Sequence, residues 1–187
     1  MKRRPGVLIA GILIVVLFVA VQLLYVVREG EVVVVTFLGK PVHAKTDAGL
    51  FMRKPWPFQK NYTFDNRLRT METVHEESLT LDQKNVLMSM YAAWNISEPI
   101  QFVESVGGVS QAESNLEDLI RNEKNQVLGK YPLSSLVNID AEKLRFLEME
   151  AEILGNVRAE AAERYGIQVA AVGIHRFDFP EGITESV

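Results

Sequence analysis

No cysteine occurs among the 187 residues, which excludes disulfides, thiolate metal sites and cysteine nucleophiles together. The absence does not fix the compartment, because an oxidising space permits disulfides without requiring them. Histidine is scarce, and His43, His75 and His175 fall on different predicted elements with no ligand-type spacing. His75-Glu-Glu-Ser-Leu79 follows the zinc-protease pattern for two residues, but the second histidine is missing and the segment does not read as helix. A nucleophile elbow, a P-loop and a dinucleotide fingerprint are likewise absent. Neither a fixed-period repeat nor a Gly/Ser- or Pro-rich linker divides the chain. Excess positive charge is also missing: the net charge is −4, which argues against nucleic acid as a partner.

What the chain does have is one long apolar run. Val7 to Val27 carries no charge and a single strongly polar residue, Gln22. As a helix rising about 1.5 Å per residue it spans about 30 Å, the thickness of a bilayer's hydrocarbon core. Lys2, Arg3 and Arg4 precede it, so the positive-inside rule places residues 1–6 as a cytoplasmic tail, 7–27 as a transmembrane helix and the rest outside. A cleaved signal peptide is the rival reading. The run exceeds the usual h-region of about 7–15 residues, and Gln22 to Arg28 lacks an A-x-A-like cleavage site. Without the tail, 17 basic residues face 24 acidic ones, so the exported body carries about −7. Its length suits one compact domain, read as 28–179.

Glu31-Val-Val-Val-Val-Thr-Phe-Leu38 is a β-branched strand followed by turn chemistry at Gly39-Lys40-Pro41. With only Val27 to Gly30 before it, this strand begins at the headgroups. Ala48 to Lys60 contains Pro55 and Pro57, neither able to donate to a sheet ladder, so it reads as an extended loop presenting Arg53, Lys54, Trp56, Phe58 and Lys60. Trp rings and basic side chains favour the headgroup zone, which makes Arg53, Lys54, Trp56 and Phe58 the membrane-interface candidates. The competing reading has the aromatic rings capping the core; it is taken for Phe51, and the interfacial one for Trp56.

Tyr62 and Phe64 alternate with polar neighbours in a short strand. Ser78 to Leu81, the loop Asp82-Gln-Lys-Asn85 and Val86 to Ile96 form a hairpin, with Val86, Met88, Met90, Ala92, Trp94 and Ile96 on one buried face. Pro99 to Val106 is a short helix ended by Gly107-Gly108. Ser110-Gln-Ala-Glu113 then reads as a capping box opening a helix to Lys130, with Leu116, Leu119, Ile120, Val127 and Leu128 on its apolar stripe. A third helix is predicted from Asp140 to a Gly166 C-cap, with Leu144, Leu147, Ala151, Leu154, Ala161 and Tyr165 on one face, widened by Phe146, Met149, Ile153 and Val157. Ile167 to Phe179 returns to strict alternation as a closing strand. Residues 180–187 read as the start of a C-terminal helix at which the chain stops. Asn61-Tyr-Thr and Asn95-Ile-Ser match the glycosylation tripeptide, which bears only on an endoplasmic reticulum lumen.

The order of these features resembles the band 7 superfamily, also called SPFH for stomatin, prohibitin, flotillin and HflK/C. The residues carrying the resemblance are the basic tail and single anchor, Arg28-Glu-Gly-Glu31 leading into the valine strand, Thr36-Phe-Leu-Gly-Lys40, Ala48 to Phe58, Asp65-Asn-Arg-Leu-Arg-Thr70, Trp94-Asn-Ile96, and Gly166-Ile-Gln-Val169 to Phe179-Pro180. It is most similar to the bacterial HflC branch. Phe37-Leu38 stands where the family more commonly has Arg-Phe.

The resemblance implies an α+β fold: one N-terminal transmembrane helix, then an SPFH domain of mostly antiparallel sheet with packed helices. It implies a large oligomer on the bacterial inner membrane, the SPFH domain on the periplasmic side, with an HflK-like subunit, an FtsH-like AAA protease and membrane lipid as partners. No catalytic residue, cofactor or metal is implied, and relatives continue near Ile183 into a coiled coil. The alternatives are a stomatin-like organiser of lipid without a protease partner and, from another class, a membrane-tethered hydrolase.

Overall fold

The computed structural model describes residues 5–54, 58–138 and 144–180, with several side chains of the first helix left aside. The chain falls into two compact units, residues 1–67 and residues 68–187.

In the first unit, α1 (Pro5–Leu23) opens on a proline whose missing N–H costs nothing at a helix start and contains no charged residue. The helix stops four residues before the predicted Val27. Leu24-Tyr-Val-Val instead forms β1 (Leu24–Val27), whose aromatic and β-branched residues find a partner strand in β4 (Gly49–Met52). The amide of Arg53, just past β4, donates to the carbonyl of Leu23 at 2.7 Å and fixes that helix end. Among the described residues no helix is long and apolar enough to cross a membrane.

The valine run is β2 (Glu31–Phe37), the centre of a three-stranded antiparallel sheet between β3 (Lys40–Lys45) and β5 (Gln59–Asp65). Lys40-Pro41, read as turn from sequence, belongs to β3; proline is tolerated there because β3 is an edge strand. The turn proper is Leu38-Gly39, at φ 49° and 88°, a two-residue hairpin loop closed by Phe37 opposite Lys40. Tyr25 and Phe51 pack on a core of Val27, Val33 and Val35, the placement predicted for Phe51.

In the second unit, the long strand β8 (Asn85–Ile96) pairs along one side with β6 (Arg69–Glu72) and β7 (Glu76–Leu79), and along the other with β9 (Ile167–Asp178). All six predicted core residues of β8 are buried. Helices α2 (Pro99–Ser105), α3 (Val109–Leu128) and α4 (Phe146–Tyr165) follow, with a short 3-10 turn at Leu133–Ser135.

Three predictions need correction here. Helix α3 starts two residues early, with extended Gly108 as its N-cap in place of Ser110 and no side-chain cap, so Ser110 lies inside the helix and the box with Glu113 does not form. The buried row of α4 is Met149, Ile153, Val157 and Ala161, whereas Leu147 is 81% exposed; the predicted start at Asp140 lies outside the described residues. Strict alternation fails in β9 because the pairing with β8 shifts twice, between Ala93 and Trp94 and between Ser89 and Met90. Each extra residue flips the parity, leaving His175 exposed and Val172 buried. Both irregularities are met by α4: Arg158 donates to the carbonyls of Val169 and Ala170, and Glu150 accepts from the amide of Ile174. Gly166, the predicted C-cap of α4, adopts φ 64° and joins helix to strand.

Candidate functional site

Of the four interface candidates, three fall together at one end of the first unit. Arg53 is half-buried and anchored through its backbone to Leu23. Lys54 is exposed; its amide donates to Gln59 Oε1 at 2.6 Å, and its ammonium stands 5.2 Å from the centre of the Phe37 ring. Phe58 is 50% exposed, and its carbonyl accepts from the amide of Leu38 at 3.0 Å. Trp56 lies outside the described residues. The loop is shorter than predicted, since β4 and β5 take up Gly49–Met52 and Gln59–Asp65. Each flanking strand pairs with a partner earlier in the chain, β4 with β1 and β5 with β2.

Sequence reasoning missed an apolar surface next to these residues. In the β1–β4 ribbon Leu24 lies opposite Met52 and Val26 opposite Leu50. Period-two geometry puts Tyr25, Val27 and Phe51 on the core side and these four on the other. Their exposure is 42% for Leu24, 63% for Val26, 64% for Leu50 and 75% for Met52. Leu38 adds to the apolar surface of this unit at 70% exposure, held at positive φ in the hairpin tip, where a leucine costs about 1–2 kcal/mol. No polar–apolar alternation marks Leu24-Tyr-Val-Val or Gly49-Leu-Phe-Met, and the first simply continues the apolar run of α1, so neither segment alone signals this face.

Among the described residues, three ring contacts of this unit involve a lysine. Besides Lys54 over Phe37, Lys60 lies 4.7 Å from the Tyr62 ring centre and Lys45 5.4 Å from that of Phe51, while Tyr25 and Phe51 stack at 5.8 Å. In each of these three contacts the ammonium group itself stands over the ring face, the geometry of a cation–π attraction.

His43 lies on β3 opposite Val35, whereas the other two histidines belong to the second unit. His75 Nε2 lies 3.4 Å from Asp178, and His175 Nε2 lies 3.8 Å from Glu72, each pair spanning β8 in the second unit. Among the described residues no three ligating side chains converge in a manner fit to hold a metal ion. The first unit thus combines an exposed apolar ribbon, lysines over aromatic rings and a charge-free helix running into it, features suited to surface contact.

Residues 25–187 match the family model described as SPFH domain / Band 7 family. Similar proteins include Protein HflC of Vibrio parahaemolyticus, 24% identical with 96% of this chain and 65% of that protein covered. Another is the Modulator of FtsH protease HflC of Escherichia coli K12, 23% identical with 96% and 66% covered. A stomatin homolog of Pyrococcus horikoshii is 26% identical, with 94% and 62% covered. The chain thus spans about two thirds of the length of the curated relatives it matches.

Proposed function

The chain belongs to the SPFH domain / Band 7 family, and from that premise we propose that it is a membrane-anchored scaffold subunit of the HflC type. In this reading it assembles with an HflK-like partner into a large ring or cage that regulates an FtsH-like AAA protease. The mechanism is confinement: a wall of subunits restricts which membrane proteins reach the protease, and the chain performs no bond-making of its own. The observation that carries it is the likeness over 96% of the chain to a protein named as a modulator of FtsH protease.

In this reading residues 7–23, the helical part of the expected 7–27 span, serve as the single-pass anchor in the bacterial inner membrane, with the tail 1–6 cytoplasmic and the body periplasmic. The charge-free sequence of α1 and the basic residues Lys2, Arg3 and Arg4 support this. Arg53, Lys54, Trp56 and Phe58 then meet the headgroup zone, and the exposed face of Leu24, Val26, Leu50 and Met52 lies against the same boundary.

Crosslinking native membranes and capturing this chain tests the protease reading, with an FtsH-like protease and a second SPFH subunit expected in a very large, uniform particle. A uniform particle without any AAA protease would refute protease control. It would leave the second reading, a lipid organiser, which the likeness to a stomatin homolog favours.

A further inference from the structure

The carboxylates of the first unit lie toward one end of its strands, whereas its cations lie at both ends. Strands β2 and β5 run in register from Glu31 opposite Asp65 at one end to Phe37 opposite Gln59 at the other. Glu29, Glu31 and Asp65 gather at the first end around an open cleft of about 280 Å3 that Arg28 and Arg67 also line. Asp47 belongs to that end too, in the connection from Lys45, opposite Val33, to Gly49, opposite Val27. The other end carries Lys40 opposite Phe37, Lys54 over the Phe37 ring, Lys60 opposite Thr36, and Arg53 bonded to the last turn of α1. No carboxylate occurs in the stretches 36–41, 50–54 and 58–60 that build it.

A seven-residue strand spans about 23 Å. That is nearly three Debye lengths at physiological ionic strength, where one is about 8 Å, so the far carboxylates do not neutralise the near cations. Although the whole chain is acidic, the end from which α1 emerges is positive.

We propose that this collar of Lys40, Lys54 and Lys60, with Arg53 beside them, selects anionic phospholipid headgroups from the bilayer surface. The inference rests on the membrane reading above and adds a lipid class to it. The ammonium groups of Lys54 and Lys60 stand over the Phe37 and Tyr62 rings, which already restricts both side chains, so less side-chain freedom is lost when their remaining N–H groups meet phosphate oxygens. The adjoining apolar ribbon and the charge-free α1 put lipid, rather than a free anion, within reach of all of them.

The test reconstitutes the full chain into vesicles of phosphatidylglycerol and phosphatidylcholine, isolates it by flotation, extracts it in mild detergent and counts retained lipids by mass spectrometry. At low salt the native chain is expected to retain phosphatidylglycerol about threefold or more above its bulk share, falling toward bulk at high salt. Lys40→Gln/Lys54→Gln/Lys60→Gln is expected to return to the bulk ratio. Since the basic tail is common to both chains, the difference between them reads the collar. The charge-keeping Lys40→Arg/Lys54→Arg/Lys60→Arg variant retains the enrichment, which separates charge from folding damage. A native chain that floats yet retains the bulk ratio, or enrichment that survives the glutamine variant, overturns this inference alone. A chain that floats with no vesicle overturns the membrane reading and this with it.

Discussion

Replacing Glu76 tests whether the second unit depends on a buried charge. Lys124 on α3 is 2% exposed, and its Nζ lies 2.9 Å from Glu76 Oε1 on β7. The second carboxylate oxygen of Glu76 lies 3.3 Å from Arg121 Nε, and Arg121 also reaches Asp118 at 3.0 Å. Glu76→Ala leaves an ammonium out of water with no counter-charge, at an expected cost of about 3–5 kcal/mol. For a unit of this size that lowers its Tm by about 10–20 °C. Lys124→Met removes the buried charge and leaves Glu76, about 30% exposed, still beside Arg121, so the expected cost is about 1 kcal/mol. The double variant Glu76→Ala/Lys124→Met should therefore be more stable than Glu76→Ala alone, a sign reversal that ordinary additive damage does not give. Thermal unfolding of the detergent-solubilised chain, followed by tryptophan emission, reads this, because Trp94 is fully buried in β8 of the same unit. A cost below about 1 kcal/mol for Glu76→Ala, or a double variant weaker than the single one, would refute the reasoning.

Gly166→Ala should destabilise the second unit by about 2 kcal/mol or more, since φ is 64° and an added Cβ would stand 2.7 Å from the Glu98 carbonyl oxygen; the melting temperature reads it. Gly155→Ala, mid-helix in α4 with nothing within 4 Å of an added Cβ, should raise stability by about 1 kcal/mol in the same assay. Arg158→Met should cost about 1–3 kcal/mol and raise amide exchange across Val169–Ile174, as the bonds to two β9 carbonyls are lost. The Asp82 carboxylate is held below its ordinary value mainly by the Thr80 hydroxyl, with the Leu133 amide second. A depressed carboxylate stabilises the fold above its unfolded value and loses that contribution as pH falls through the folded one. Melting scans below about pH 4 should therefore fall more steeply for the native chain than for Asp82→Asn.

Where side-chain pattern and pairing agree locally, the sequence was readable. The valines of β2, the period-two face of β8 and the stripe of Leu116, Leu119, Ile120, Val127 and Leu128 on α3 each announce themselves within one segment. What stayed hidden depends on partners elsewhere in the chain. Leu24 to Val27 is as apolar as the helix before it, and only pairing with Gly49–Met52 makes it a strand. The parity of β9 is set by two register shifts against β8, and nothing in Ile167–Asp178 alone marks where they fall. Around the loop proposed to meet the headgroups, composition singled out Arg53, Lys54 and Phe58, which carry their chemistry in their own side chains. It missed Leu24, Val26, Leu50 and Met52, which matter only because two strands bring them to one face.

The junction between α1 and β1 has a mechanical consequence. No linker residue separates Leu23 from Leu24, and the Arg53 amide grips the carbonyl at the joint. Helix and ribbon therefore turn together, as a key turns with its shaft. One residue inserted into α1 would rotate the ribbon's outward face by about 100° about the helix axis, and a second would carry it to the opposite side. The length of α1 thus sets the azimuth of the β1–β4 ribbon about the helix axis.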